Sequence, residues 1–143
     1  MELRRELEFY SKLSTPSDVE AFSQVLGRMA LSKDRKYIPV MLSYLDDDTE
    51  HGDLMKEIIG MSESFGADDY VSTVVDMTGT LRDRAWDWLE IIHYRIFNSD
   101  ELTTVYKDAL AGHAEEAAVR GYLKEFLNGN PEKRERVECV LAD

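Results

Sequence analysis

Tyr37-Ile38-Pro39-Val40-Met41-Leu42-Ser43-Tyr44-Leu45-Asp46-Asp47-Asp48-Thr49-Glu50-His51-Gly52-Asp53 is the stretch that decides how this chain is read. Its last eight residues hold five carboxylates and neither Lys nor Arg. The apolar positions before it recur at helical spacing, and so do those after it, Leu54, Ile58, Met61 and Phe65. An acidic corner between two helices follows, and with it an all-α fold.

Working outward from that corner, the same punctuation recurs. Upstream, residues 2–13 can form a first helix with Leu3, Leu7 and Tyr10 on one face, stopped by Thr15-Pro16. Ser17-x-x-Glu20 has the capping-box pattern and opens a second helix carrying Val19, Phe22, Leu26 and Met29. Asp34 is placed to cap the third, in which Pro39 falls in the first turn, where a missing N–H matters least. Downstream, Gly66 ends helix four and Asp68-Asp69 start helix five. The pairs Tyr70–Val71 and Val74–Val75 repeat every four residues, so this segment reads as helix despite its β-branched content. Gly79-Thr80 is expected to break the chain before a sixth helix from about Leu81 to Phe97. Asn98-Ser99-Asp100 caps a seventh, Gly112 ends it, and an eighth carries Ala114, Tyr122 and Phe126. Pro131 starts a ninth.

These segments suggest one all-α domain over residues 1–143: N-terminal capping helices in 1–33, three helical hairpins in 34–128 and a C-terminal helix in 131–143. The architecture is a stack of hairpins, solenoid-like, or an irregular helical bundle. Tyr37, Met41 and Leu45 match Tyr70, Val74 and Thr78, which match Leu102, Tyr106 and Leu110, at offsets of about 32 residues. The first hairpin resembles a HEAT repeat through Ile38, Pro39, Leu42, Leu45 and Asp47. For the basic residue that family carries in its second helix, Lys56 is the only candidate. The next two hairpins keep the spacing but lack the Pro. The resemblance implies a binding scaffold rather than a chemistry.

The chain has 29 acidic and 17 basic residues, a net charge of −12. Residues 1–36 contain seven Lys/Arg and six Asp/Glu, residues 37–119 five and eighteen, and residues 120–143 five of each. The imbalance therefore lies in the central region. Such a field disfavours nucleic acid and anionic membrane as partners and favours a basic protein. The carboxylates proposed to meet that partner are Asp46, Asp47, Asp48, Glu50, Asp53, Asp68, Asp69, Asp76, Asp83 and Asp87, with Trp86 and Tyr94 as aromatic anchors. The single cysteine, Cys139, excludes an internal disulfide framework and suits a reducing compartment. Met1-Glu2-Leu3-Arg4-Arg5-Glu6 lacks the apolar core of a signal peptide, and no run reaches membrane-spanning length, so the expected location is the cytoplasm.

Catalytic and metal signatures are poor. Glu90-x-x-His93 is half of a carboxylate-bridged di-iron motif, and no second copy exists. His93 reads instead as a stacked, partly buried side chain beside Trp86 and Phe97. The spacing around Asp46–Asp53 fits a calcium loop badly, because Glu57 falls inside the next helix. His51 and His113 lack neighbours for zinc. No phosphate-binding glycine loop or serine-nucleophile motif is present. Neither cofactor nor catalytic residue is assigned. In size, charge and helical architecture the chain is similar to the bacterial immunity proteins of polymorphic toxins. That resemblance implies a toxin partner, a nuclease with a basic active site among the candidates, neutralised by occlusion. The alternatives are a metal-dependent bundle enzyme and a general scaffold or adaptor.

Overall fold

The computed structural model describes residues 2–142. Among these residues there are nine α-helices, one 3-10 turn and no strand, as the spacing of apolar residues required. None of the helices is long and apolar enough to cross a membrane. The chain forms two compact units, Met1–Gly66 and Ala67–Asp143.

The first unit contains α1 (Leu3–Tyr10), α2 (Pro16–Ser32), α3 (Tyr37–Leu42) and α4 (Gly52–Glu63). Helix α2 is its spine. Phe22, Val25, Leu26 and Met29 fall at i, i+3, i+4 and i+7, and all four are buried. Each such side chain contributes about 1.5–3 kcal/mol of burial. Helices α1, α3 and α4 all pack on α2, and α3 also packs on α4. The start of α2 differs from the capping-box expectation. Thr15 is the N-cap, its Oγ1 accepting the Asp18 N–H at 3.1 Å, and Pro16 is the first helical residue. An N–H-less residue at N1 sacrifices nothing, so Thr15-Pro16 both ends one segment and begins the next. Lys33 closes α2 in the left-handed region (φ 58°). The Asp34 carboxylate accepts the Lys36 N–H at 3.1 Å, leading into α3. Helix α3 ends at Leu42 rather than Leu45, although Leu45 is fully buried.

The second unit contains α5 (Ala67–Arg84), α6 (Trp86–Ile96), α7 (Asp100–Leu110), α8 (Glu116–Gly129), a 3-10 turn (Pro131–Lys133) and α9 (Arg134–Leu141). Helix α5 is the organising element, touching α6, α7 and α8, and α9 closes on α7 and α8. The valine-rich segment is helical. Gly79-Thr80 does not interrupt it: α5 continues to Arg84 and the break falls at Ala85 (φ −138°, ψ 45°). A helical glycine is disfavoured by about 1 kcal/mol relative to alanine. Here Thr78 and Leu81, both fully buried, hold the turn on either side of Gly79. The Ala85 N–H still bonds the Leu81 carbonyl and the Leu89 N–H bonds the Ala85 carbonyl, each at 2.8 Å. The chain therefore bends with no linker. One consequence concerns the repeat spacing. Six-residue α3 and eighteen-residue α5 are not equal units, and their following turns do not fall at equivalent positions.

Candidate partner-binding surface

In the first unit the corner from Asp46 to Asp53 is an ordered turn. One Asp46 carboxylate oxygen accepts the Asp48 N–H at 2.9 Å, and Thr49 Oγ1 accepts the His51 N–H at 3.0 Å. Asp53 lies in the first turn of α4, where the helix dipole favours a negative charge. Asp47, Asp48, Glu50 and Asp53 are exposed and Asp46 is half-buried. The Asp46 carboxylate thus helps to fix the turn, while the side chains of four other acidic residues remain exposed. Away from it, a groove of about 540 Å³ runs between α1 and α3, with Arg4, Glu8, Tyr37 and Tyr44 among its lining residues. Burial, and next the nearby Glu8 charge, raise the Tyr44 hydroxyl above its ordinary pKa.

In the second unit Asp68, Asp76, Asp83 and Asp87 are exposed, and Asp69, Trp86 and Tyr94 are half-buried. Asp69, Asp76 and Asp83 recur every seven residues and so share one face of α5. From Asp69 to Asp83 that row extends about 21 Å at the helical rise per residue. It is a ridge, not a cluster. Asp76 is already engaged: its Oδ1 lies 2.6 Å from His113 Nε2, while His113 Nδ1 accepts the Glu115 N–H. Asp83 lies just before the bend at Ala85, and Trp86 and Asp87 just after it.

The two aromatic candidates lie on one flank of α6, eight residues apart, with Glu90 midway between them. Trp86 meets Tyr122 edge-on at 5.4 Å, and the Arg82 guanidinium sits 5.9 Å from the Trp86 ring. The Lys133 ammonium lies 4.4 Å from the Tyr94 ring centre. The sequence reading considered Glu90 only as half of a metal motif. On the helix it belongs to the i, i+4, i+8 series Trp86, Glu90, Tyr94.

The other half of that motif lies deeper on α6. His93 is fully buried, among the rings of Phe97, Tyr106, Tyr122 and Phe126, and is separated from Trp86 by Tyr122. Its Nδ1 donates to the Leu89 carbonyl at 2.9 Å, which leaves Nε2 to accept from the Tyr106 hydroxyl at 2.8 Å. Both nitrogens are committed, so His93 has no lone pair for a metal. Burial pushes its pKa down to about 4, against a smaller opposing effect of the Leu89 hydrogen bond. Burial likewise raises the Tyr106 and Tyr122 hydroxyls well above their ordinary values. Among the described residues no three His, Cys, Asp or Glu side chains come together to hold a metal ion.

A family model described as Immunity protein 30 matches residues 10–106. The chain belongs to the Immunity protein 30 family. The Immunity protein 30 match runs from the end of α1 into α7 and takes in all twelve candidate residues and Glu90. It leaves out α8 and α9, which supply Tyr122 and Val137 to the core of the second unit. No curated protein and no solved structure matches the chain.

Proposed function

We propose that this chain is a cytoplasmic immunity protein that neutralises its toxin by stoichiometric binding, without catalysis, and that the toxin surface it meets is basic. Family membership carries the toxin as partner. The basic character of that partner is supported by the net charge of −12 and by the exposure of eight of the ten candidate carboxylates. A basic patch that holds phosphate is what a nuclease active site offers, and carboxylates set over it would exclude the substrate. In this reading Asp83 and Asp87 beside Trp86 form the central contact, and the row on α5 and the Asp46–Asp53 turn add long-range attraction.

Association driven by such a field is fast at low salt and slows as salt screens it. The test is the association rate constant with its cognate toxin domain, measured from about 0.05 to about 0.5 M salt. A fall of roughly tenfold or more is expected. A rate independent of salt would remove the electrostatic part of the reading.

A further inference from the structure

The flank of α6 that carries Trp86, Glu90 and Tyr94 faces α8 and the 3-10 turn. The seam between them holds two cations, and both are already engaged. Arg82 pairs with Glu125 across α5 and α8, and Lys133 donates to the Asn98 side chain. Glu90, half-buried between the two aromatic rings, has neither a hydrogen bond nor an ion pair among the described residues. Its Oε2 lies 3.4 Å from where a side chain on Gly129 would begin, so the glycine leaves the carboxylate room. Beneath it the Tyr122 hydroxyl, in a residue only 1 % exposed, has no hydrogen-bond partner. The Tyr122 ring meets Trp86 edge-on at 5.4 Å, which places it at this seam, and after burial and the Tyr106 hydroxyl the charges of Glu90, Glu125 and Arg82 act on its own hydroxyl. A buried hydroxyl left unpaired is destabilising, and native structures rarely keep one.

We propose that this seam is a receptor for one cationic side chain, Lys or Arg, of the partner protein. Glu90 is the counter-ion, Trp86 and Tyr94 are the flanking rings, and the Tyr122 hydroxyl is a second acceptor for the entering donor. The chemistry is that of a charge-assisted hydrogen bond inside an aromatic frame. The chain's own Arg82 and Lys133 already show that these two rings accept cations. The inference rests on the reading of a basic toxin partner and specifies which of the chain's carboxylates anchors it.

The experiment titrates the full chain with methylguanidinium, using neutral methylurea as control, and follows the Trp86 indole and Gly129 amide signals by NMR. Saturable shifts confined to the seam are expected with methylguanidinium and none with methylurea. Glu90→Gln, an isosteric change at a half-exposed site, should weaken the titration at least about tenfold and toxin binding by a similar factor. Circular dichroism checks that the variant is folded. Equal titration of the variant, equal shifts with methylurea, or toxin affinity unchanged in Glu90→Gln would overturn the proposal. Failure of the neutralisation reading looks different: the unaltered chain then ignores the toxin domain while methylguanidinium still saturates the seam.

Discussion

Lowering the pH should destabilise the second unit through one residue, His93. Its imidazole sits fully buried, with Nδ1–H held by Leu89 and Nε2 by Tyr106. The groups packed on it are the rings of Phe97, Tyr106, Tyr122 and Phe126, none of which carries a compensating negative charge. Protonation would leave an imidazolium in that environment, and the pKa is accordingly depressed from 6.5 to about 4. A displacement of that size corresponds to about 3 kcal/mol. The sign follows from proton uptake: the unfolded chain binds the proton first as pH falls. The stabilisation is therefore complete above the unfolded pKa of about 6.5 and is lost as pH falls towards about 4. Protonation of the many surface carboxylates acts in the same range, so the clean quantity is a difference between two proteins. Urea unfolding of the natural chain and of His93→Gln, followed by Trp86 and Trp88 fluorescence, supplies it. Both tryptophans lie on α6, in the unit that contains His93. The stability gap between the two proteins should shrink by about 3 kcal/mol between about pH 7 and about pH 4. A gap that does not change with pH would refute the argument that burial suppresses the charge on His93.

Three further outcomes follow from the packing and the surface. Thr15→Ala removes the side-chain acceptor for the Asp18 N–H and should cost the first unit about 1 kcal/mol, read as a lower urea midpoint. Phe126→Ala opens a void beneath His93 and Phe97 in the second unit and should cost about 3–5 kcal/mol in the same assay, with a change under 1 kcal/mol arguing against the aromatic cluster as core. Replacing Asp46, Asp47, Asp48 and Asp53 together by Asn should leave thermal unfolding within about 0.5 kcal/mol of the natural chain, because the amide oxygen that replaces the Asp46 carboxylate still accepts the turn's N–H, while slowing toxin association. Unfolding of that variant would make the corner structural.

The sequence made the helices legible because their apolar residues recur at helical spacing and most of their ends carry Pro, Gly, Ser or Asp. Tyr70–Val71 and Val74–Val75 show how far periodicity outweighs propensity: β-branched residues on one face of a helix still pack. The same local reasoning misplaced the bend after α5. Gly79 looks like a terminator when read alone. The buried pair Thr78 and Leu81 keeps its turn helical, and that pair depends on contacts no local window contains. The start of α2 was misread for a smaller reason. Two capping residues two positions apart, Thr15 and Ser17, compete, and Pro16 decides for the first because it sits best at N1.

The candidate surface divided along similar lines. That acidic residues in the central region would reach solvent followed from their chemistry, since an unpaired carboxylate is expensive to bury. Which of them stand together did not follow. The break between α5 and α6 falls at Ala85, between Asp83 and the pair Trp86 and Asp87, and Asp76 is taken by His113 from a loop far away in sequence. Glu90 and His93, three residues apart, have the spacing of half a di-iron motif, and the sequence already favours a stacked, partly buried His93 over a ligand. On neighbouring positions of α6 they differ in depth, Glu90 half-buried and His93 in the core.

The central claim, neutralisation of a toxin by direct binding, is tested most directly by survival. Cells that produce the cognate toxin domain should stop growing, and should resume growth when the chain is co-produced. Glu90→Gln combined with Asp83→Asn and Asp87→Asn should fail to restore growth at equal expression. Growth arrest that persists with the unaltered chain present, at a level in excess of the toxin, would contradict the account.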